Sequence, residues 1–224
     1  MSFVNDIRHD IDSIKARDPA AKSALEIVLT YSGVHAVIMH RLAHALYVRK
    51  LTVPARVVSQ VSRFLTGIEI HPGAKIGRGL LIDHGGGVVI GETAEVGDYC
   101  LLYQGCTLGG TGKDQGKRHP TLGNGVMVGC GAKVLGPFKV GDGAKIAANA
   151  VVLSEVPAGA TAVGVPAKVV RMNGAQTSSV RKPAAEEVDQ IHIPDPVEQE
   201  LCRCKARIKR LEREIEELKR NAEK

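Results

Sequence analysis

The sequence predicts a mainly β fold, a parallel β-helix built from six-residue repeats with helical segments on both sides. Three observations lead to this prediction: an aliphatic residue recurs every six positions, glycine is abundant, and large aromatic side chains are scarce. Of the 224 residues, 25 are glycine, none is tryptophan and 3% are aromatic. A core with so few bulky side chains favours a narrow, repetitive architecture over a helical globule or an aromatic-rich sandwich.

The repeat falls into three runs that share the same period. Its aliphatic positions are Ile70, Ile76, Ile82 and Val88, then Ile90, Val96, Leu102 and Leu108, and then Leu122, Val128, Val134, Val140, Ile146 and Val152. Small residues, such as Ala74, Cys100 and Cys106, stand four positions after many of them. A period of six fits neither an amphipathic helix nor simple alternation. We expect three hexads to form one triangular coil of about 18 residues, with the aliphatic and small side chains pointing inward.

Two interruptions separate the runs. A slip of two residues lies between Val88 and Ile90, and the segment 109–121, GGTGKDQGKRHPT, has no apolar periodicity. Solenoids place such polar insertions as loops on one face, and these loops often carry function. The sequence therefore predicts a functional loop at 109–121.

The regions on either side of the repeat predict further domains. Residues 1–66 are expected to form a small helical domain, because Val4, Ile7, Ile11 and Ile14 recur at helical spacing and similar patterns follow. The β-helix domain covers 67–172, and the polar segment 173–195 reads as a linker. Residues 196–224 predict a coiled-coil helix, whose a and d positions are Leu201, Cys204, Ile208, Leu211, Ile215, Leu218 and Ala222.

Composition and charge limit the setting in which the protein works. No apolar stretch approaches the ~18 to 20 residues of a membrane span, and the acidic N-terminus does not resemble a signal peptide. Five cysteines without a disulfide-framework spacing favour a reduced, cytoplasmic setting. The net charge of +6 is spread along the chain without aromatic stacking platforms, so a polyanionic small molecule explains it as well as nucleic acid does.

A few polar residues break the aliphatic repeat and are the candidates for chemistry. They are Glu69, the pair Asp83–His84 before three glycines, Glu92, and the pair Arg118–His119 in the loop. Glu69 precedes His84 by 15 residues, three short of one coil, which predicts that they lie on neighbouring rungs. Other histidines, such as His71 at a corner and His40 in a helical pattern, more often have structural roles. His84 and His119 could supply two zinc ligands, but no third histidine stands at a matching spacing, so no zinc site is expected.

These motifs resemble those of a known enzyme family. Residues 67–110, GIEIHPGAKIGRGLLIDHGGGVVIGETAEVGDYCLLYQGCTLGG, continue through TGK and GKRHPTLG, and DPA stands at 18–20. Together with GVHAVIMHRLAHAL from Gly33 and GVPAKVV from Gly164, they closely resemble serine O-acetyltransferases of cysteine biosynthesis, over roughly residues 5–172. The repeat is common to many acyltransferases, whereas DHGGGVVIGE with LGGTGK and RHP is specific. The resemblance implies a left-handed parallel β-helix.

The resemblance also implies an activity, the transfer of acetyl from acetyl-coenzyme A to the hydroxyl of L-serine. A serine hydroxyl needs a base within hydrogen-bond reach, and His84 is the candidate, because imidazole is the side chain best suited to exchange a proton near neutral pH. Glu69 stands where the family often has Asp, and it would orient the imidazole of His84 and stabilise its protonated form. The hydroxyl would attack the thioester directly. No metal is implied.

Further site residues are carried over from the family's motifs. Asp18 and Asp83 are expected near the ammonium and hydroxyl of L-serine, and Arg118 and His119 are expected to hold its carboxylate. Glu92 matches an active-site position. Four residues match coenzyme A-binding positions along a groove between solenoids: Gly110, Thr111, Cys130 and Lys145. L-Cysteine, which resembles L-serine, is expected to act as a feedback inhibitor in the same clamp.

Assembly is expected to differ from that of longer relatives. The family implies a homotrimer with active sites between subunits, and the short N-terminal domain predicts no N-terminal pairing of trimers. Many relatives end in an isoleucine that docks into O-acetylserine sulfhydrylase, whereas this chain ends at Lys224, so docking is not expected. Ile at a with Leu at d favours two-stranded coils, which predicts a dimer of trimers, while a three-stranded bundle within one trimer is the competing arrangement.

Two other functions are compatible with the repeat. One is acetyl transfer to a different acceptor, such as a sugar or homoserine, and the other is a non-catalytic assembly role. The clamp formed by Asp18, Asp83, Arg118 and His119 favours an amino-acid acceptor, and the pair of Glu69 and His84 favours catalysis. No membrane or nucleic-acid partner is expected.

Overall fold

The computed structural model describes residues 3–112, 115–172, 204–208 and 210–215. Within the first two ranges, four helices come first along the chain and the strands follow. The helices are α1 (Phe3–Arg17), α2 (Ala24–Thr30), α3 (Ser32–Val48) and α4 (Thr52–Thr66). The strands are β1 (Glu69–Ile70), β2 (Lys75–Ile76), β3 (Leu81–Asp83), β4 (Val89–Ile90), β5 (Glu95–Val96), β6 (Leu101–Tyr103), β7 (Thr107–Gly109), β8 (Thr121–Leu122), β9 (Met127–Val128), β10 (Lys133–Leu135), β11 (Lys139–Val140), β12 (Lys145–Ile146), β13 (Val151–Val152), β14 (Ala160–Val163) and β15 (Lys168–Met172).

The short strands stack into three sheets, so each turn of the chain contributes one strand to each sheet. Sheet A has the order β1-β4-β7-β10-β13, sheet B has β11-β8-β5-β2, and sheet C has β15-β14-β12-β9-β6-β3. All neighbouring strands are parallel except the last pair, β14 and β15. The structure thus confirms a parallel β-solenoid.

The register of sheet A shows where the regular coil is interrupted. Val89 pairs with Thr107 and Lys133 with Val151, each a step of 18 residues. Glu69 pairs with Val89, a step of 20, and Thr107 with Lys133, a step of 26. The two longer steps hold the slip and the polar loop that the sequence predicts. Extra residues therefore leave the coil at its corners and do not shift the stacked strands.

The interior is filled by the aliphatic and small residues of the hexads. Nearly all predicted inward positions belong to one buried cluster, and Ile76 packs against it while partly exposed. Cys100 and Cys106 lie inside the bore, where burial raises the pKa of their thiols to about 12 and about 11, respectively. The two cysteines are therefore packing residues, as the sequence predicts, because protonated buried thiols are unreactive.

The turns between sheets B and C stack above one another, and in successive coils an Asp or Asn side chain binds the equivalent turn of the coil before it. The Oδ1 atom of Asp98 accepts a hydrogen bond from the Arg78 amide, at 2.8 Å. Asn124 accepts in the same way from the Asp98 amide, and Asp142 accepts from the Asn124 amide. These side chains satisfy backbone amides in the turns, which have no partner in a neighbouring strand.

Helix α3 lies across the first coil and closes that end of the core. Ala36 and Val37 join the cluster that fills the solenoid. Gly33 packs so closely on sheet C that a Cβ atom there would collide with the carbonyl oxygen of Ile82. Farther along α3, His44 Nδ1 donates to the carbonyl oxygen of Pro72 at 2.8 Å. These contacts fix the helix at several points along its length.

Helix α1 covers the outer face of sheet C. Ile14 packs with Leu81, Leu101 and Met127, which point outward from that sheet. The buried guanidinium of Arg17 donates to the carbonyl oxygens of Gly79 and Cys100. The helices and the first coils are consequently held together by both apolar and charged contacts.

The other end of the solenoid is covered by the chain itself. Strand β15 folds back antiparallel on β14 and ends sheet C. Val156 forms a bridge to Val140 of sheet B, and the Ala167 amide donates to Val151 of sheet A. The last parallel strand of each sheet, β11, β13 or β14, is thus paired with a later part of the chain.

Part of the predicted C-terminal helix is described. Residues 204–208 and 210–215 are helical, and Ile208, Leu211 and Ile215 are exposed along them. The predicted linker 173–195 and the rest of 196–224 lie outside the described residues, so the coiled coil stays a prediction. In the described part of the chain, no helix is long and apolar enough to cross a bilayer.

The close approach of α3 to sheet C predicts a large effect of a single methyl group. Gly33→Ala should lower the free energy of unfolding by about 1–3 kcal/mol, although alanine normally favours helix, because the helix must move away from Ile82. Gly116→Ala is the matched control, because open space surrounds that position. Urea unfolding of both variants tests this, and equal stability of the two would contradict the packing described.

The buried histidine of α3 predicts an acid sensitivity. His40 is 4% exposed, its Nδ1 has no hydrogen-bond partner among the described residues, and burial lowers its pKa from 6.5 to about 3. As the pH falls, the imidazole of His40 therefore takes up a proton in the unfolded state before it does so in the folded state. The free energy of unfolding should then decrease below about pH 6.5, by up to about 1.4 kcal/mol per pH unit. The difference in unfolding free energy between pH 7.5 and 5 should shrink in His40→Gln, and an equal difference would count against His40.

Candidate active site

The first group of predicted residues lies where sheet C joins sheet A. We call residues 83–88, between β3 and β4, the His84 corner. His84 has a φ of 57°, in the left-handed region, and its side chain is 76% exposed. Its Nε2 lies 3.9 Å from Asp83 Oδ1, outside hydrogen-bond distance. A left-handed backbone at a residue other than glycine is costly and often found at functional sites. Here it follows directly after β3 and leaves the His84 imidazole exposed to solvent.

The glycines after His84 make the turn possible. Gly85 and Gly87 both have positive φ, and a Cβ atom at Gly85 would lie 2.5 Å from Ile68 Cδ1. Because only glycine combines this conformation with so close a contact, the glycines let the His84 corner pack against Ile68 while the imidazole stays exposed.

Glu69 begins the neighbouring strand of sheet A but has a different partner. Its flanking residues touch the His84 corner, because the Gly87 amide donates to Gly67 O at 2.9 Å. The carboxylate of Glu69, however, lies 3.3 Å from the guanidinium of Arg63 in α4. The backbone of Glu69 is thus next to the His84 corner, since its amide donates to Val88 O at 2.9 Å, while its carboxylate pairs with a helix residue.

Asp18 and Asp83 approach the same tyrosine. The hydroxyl of Tyr31 donates to Asp18 Oδ2 at 2.7 Å, and the Ala20 amide donates to Asp18 Oδ1 at 2.8 Å. Burial, the Asp18 hydrogen bond and nearby carboxylates, Asp83 among them, raise the pKa of Tyr31 to about 12. Two predicted contacts of the L-serine ammonium thus lie on one side of the solenoid, near His84.

The second group of residues lies at the opposite edge of sheet A. We call residues 91–94 together with 110–112 and 115–120, which lie between sheet A and sheet B, the Arg118 corner. Arg118 forms a short ion pair with Glu92, whose other oxygen accepts a hydrogen bond from Tyr47 at 3.0 Å. These two donors lower the pKa of Glu92, Arg118 contributing most. The carboxylate is therefore ionised and held from two sides.

His119 is buried against the strand end. Its ring covers Gly91, where a Cβ atom would collide with the imidazole. The Thr93 amide donates to His119 Nδ1 at 3.2 Å, which makes Nδ1 an acceptor and leaves the proton of the neutral ring on Nε2. Burial lowers the pKa of His119 and favours this neutral form. The buried imidazole can therefore donate one hydrogen bond from Nε2.

Thr93 holds the base of the loop in place. Its hydroxyl accepts from the amides of Arg118 and His119, at 3.0 and 3.1 Å, and its carbonyl oxygen accepts from Lys117 Nζ at 2.7 Å. The charged loop thus has a defined position although it interrupts the repeat.

The residues predicted to bind coenzyme A lie at three places. Gly110 lies against Arg118 and His119, and Thr111 follows it at the Arg118 corner. Half-buried Cys130 lies between β9 and β10, on the edge of sheet A that also holds the His84 corner. Lys145 begins β12 in sheet C. One chain does not gather these four residues into one site.

The two corners are separated by the strands of sheet A. Strand β4 begins after the His84 corner and ends before Glu92, and the loop that carries Arg118 follows β7 in the same sheet. A recess of about 440 Å³ lies elsewhere, on sheet B beside Lys75 and Glu95. Across the described ranges, no group of three or more potential ligands is arranged to hold a metal ion.

Sequence reasoning missed the residues that hold the predicted acids. Tyr31, Tyr47 and Arg63 each contact one of them and lie in or beside helices, outside the repeat. One signal was available, because the chain has only four tyrosines and two of them flank the histidine-rich run of α3.

Comparisons with known proteins agree with the resemblance of the motifs. Residues 1–38 match the family described as "Serine acetyltransferase, N-terminal", and residues 119–154 match "Bacterial transferase hexapeptide (six repeats)". The serine acetyltransferase of Bacillus pumilus is 52% identical, over 97% of this chain and 94% of its own length. That of Bacillus subtilis is 51% identical, over 99% and 95%.

Solved structures of serine acetyltransferases share the fold. The Neisseria gonorrhoeae enzyme in complex with serine has a TM-score of 0.73 at 41% identity, covering 75% of this chain and 69% of its own. The Brucella abortus enzyme in complex with coenzyme A has 0.75 at 43%, covering 78% and 70%. A complex with cysteine has 0.79 at 40%, covering 85% and 72%. With half of its residues shared with such relatives over nearly its full length, this chain belongs to the serine acetyltransferase family.

Proposed function

We propose that this protein transfers the acetyl group of acetyl-coenzyme A to the hydroxyl of L-serine, giving O-acetyl-L-serine and coenzyme A. The observation that carries the proposal is the exposed His84 imidazole at a left-handed corner beside Asp83, which lies near the tyrosine that binds Asp18. This arrangement combines a base with carboxylates suited to an ammonium group. The family relationship supports the same acceptor.

His84 acts as the general base in this reaction. Its imidazole takes the proton of the L-serine hydroxyl while the oxygen attacks the thioester carbonyl. The carbon–sulfur bond of the tetrahedral intermediate then breaks, and the imidazolium returns the proton to the leaving thiolate. Backbone amides near Gly109 and Gly110 are candidates for stabilising the oxyanion, because extended loops after a strand expose such donors.

Glu69 orients the protonated His84, as the resemblance implies. Its ion pair with Arg63 is 3.3 Å long, and the Arg63 side chain is 57% exposed. An exposed pair of this kind contributes little to stability and is easily exchanged, so Glu69 can turn towards an imidazolium that forms beside it.

The amino-acid clamp consists of two halves. Asp18 and Asp83 contact the ammonium and hydroxyl region of L-serine, and Arg118 with His119 Nε2 donates to its carboxylate. Glu92 balances the charge of Arg118 while leaving other guanidinium donors for the substrate. A sugar lacks both charged groups, and homoserine places its hydroxyl one carbon farther, so the two halves favour L-serine.

The separation of the two halves supports an oligomer. The His84 corner and the Arg118 corner lie at opposite edges of sheet A, so a second copy can bring its Arg118 corner to the first copy's His84 corner. We propose a homotrimer, in which Gly110, Thr111, Cys130 and Lys145 line the groove for acetyl-coenzyme A between neighbouring solenoids. Lys145 is suited to a phosphate.

Three further proposals concern inhibition, cellular location and assembly. L-Cysteine competes for the clamp, since it shares the ammonium and carboxylate of L-serine and a related structure holds cysteine. The unpaired cysteines among the described residues suit a cytoplasmic location. The exposed Ile208, Leu211 and Ile215 support pairing of the C-terminal helices between trimers.

Thiol release from acetyl-coenzyme A tests the reaction and its base. L-Serine should support release in preference to homoserine and sugars, and His84→Ala should lower kcat by about 10²- to 10⁴-fold while the oligomer persists. His9→Ala is a control, because that histidine bonds Tyr99 on another corner. Activity with another acceptor but none with L-serine would refute the substrate, and an undiminished rate in His84→Ala would refute the base.

Light scattering tests the role of the C-terminal helix. The full-length chain should have the mass of a dimer of trimers, and a chain ending at Ala175 should have the mass of a trimer, because the proposed contact has been removed. Trimer mass for both proteins would instead support a bundle within one trimer.

A further inference from the structure

Helix α3 has a tyrosine at each end, and each one donates to a carboxylate of the proposed clamp. Tyr31 immediately precedes the helix and Tyr47 lies in its last turn. Their hydroxyls reach Asp18 and Glu92, which belong to the two separate halves of the site. Because the chain has only four tyrosines, this symmetrical use of two of them calls for an explanation.

Tyr47 completes the support of Glu92 and thereby of Arg118. Its hydroxyl donates to Glu92 Oε1 at 3.0 Å, while Arg118 occupies Oε2. The other contacts of the guanidinium are long, 3.4 and 3.5 Å to the carbonyl oxygens of Gln115 and Gly116. The position of the guanidinium therefore depends on Glu92, and that of Glu92 on Tyr47.

The ring of Tyr47 is held as well as its hydroxyl. It meets His71 edge to face, with ring centroids 5.8 Å apart and an interplanar angle of 81°. This contact directs the hydroxyl towards the Arg118 corner, and the Glu92 hydrogen bond is the main cause that raises the pKa of Tyr47. The hydroxyl therefore stays a protonated donor at neutral pH.

Tyr31 has the same relation to Asp18. Its hydroxyl donates to Oδ2 at 2.7 Å, and the Ala20 amide donates to Oδ1 at 2.8 Å, so both oxygens are oriented. Asp18 lies just after α1, and its amide donates to the Ile14 carbonyl oxygen at 2.8 Å, so α1 holds its backbone but not its carboxylate. Tyr31 connects it to α3.

Helix α3 can serve as a rigid support because it is fixed independently of both tyrosines. Gly33 packs on Ile82, Arg41 forms an ion pair with Asp10 at 2.7 Å, and His44 bonds Pro72. A donor on such a helix has a defined position before the substrate arrives, which reduces the ordering cost of binding.

We propose that Tyr31 and Tyr47 are positioning residues, which hold Asp18 for the L-serine ammonium and the Glu92–Arg118 pair for its carboxylate. This inference rests on the proposed function. It assigns one specific half of the amino acid to each tyrosine, and a structural role alone would not distinguish the halves.

Phenylalanine variants of the full-length chain test the assignment. Tyr47→Phe should raise the KM for L-serine by about ten-fold, as expected for the loss of one hydrogen bond to a charged group, with little change in kcat or in the KM for acetyl-coenzyme A. Tyr31→Phe should also raise the KM for L-serine. Tyr99→Phe is the matched control, because its hydroxyl bonds His9 at 2.7 Å, away from both corners.

Two partial analogues of L-serine separate the halves. 3-Hydroxypropionate has the carboxylate without the ammonium, and 2-aminoethanol has the ammonium without the carboxylate. As competitive inhibitors, the first should bind Tyr47→Phe more weakly and the second should bind Tyr31→Phe more weakly. Equal weakening of both inhibitors in either variant, or values equal to those of Tyr99→Phe, would overturn the proposal.

A double-mutant cycle tests the route through Glu92. If Tyr47 acts through that carboxylate, Tyr47→Phe should add almost nothing to Glu92→Gln, and additive effects would overturn this route. Thermal melting of each variant confirms that the fold persists. Failure of the proposed function is recognised separately, because the unsubstituted protein would then show no L-serine-dependent thiol release.

Discussion

The narrow bore of the solenoid is the constraint on which the rest of the structure depends. Successive coils are bonded strand to strand, and at some corners they approach so closely that a Cβ atom at Gly97 would lie 2.5 Å from Gly123 O. Such a stack cannot admit extra residues along its strands or large polar groups at the positions that point into the bore. Irregular chain must leave at the corners, and the polar candidates Asp83–His84, Glu92 and Arg118–His119 stand there for that reason.

The sequence is sufficient to predict the coil because one period determines both hydrogen bonding and side-chain direction. The inward positions from Ile70 to Val152 follow from it, and so do the slip before Ile90 and the loop at 109–121. The candidate site is less predictable. Breaks in the repeat identify which residues are unusual, but a period contains no information on helices outside the coil. The contacts of Tyr31, Tyr47 and Arg63 therefore appear only in three dimensions.

Helix α3 gives the N-terminal region a role beyond covering the core. It is in contact with sheet C at Ile82, with the first coil at Pro72 and with the Arg118 corner at Glu92. Its polar side chains bind groups on the outside of the first coils, while Ala36 and Val37 fill the end of the bore. One helix thus satisfies an apolar requirement on one side and orients charged groups at its ends, which a loop could do only at a larger entropic cost.

The end of the solenoid that β15, Val156 and Ala167 cover has a consequence for behaviour at high concentration. A stack of parallel strands would otherwise present three rows of unpaired amide and carbonyl groups, each able to template a strand from another molecule. The antiparallel return of β15 occupies such groups in sheet C. Two hydrogen bonds between Val156 and residues 139–141 do so in sheet B, and two that link Val151 to Gly164 and Ala167 do so in sheet A. At this end of the stack, pairing within the chain therefore competes with the addition of a strand from another molecule, which works against end-to-end growth into fibres.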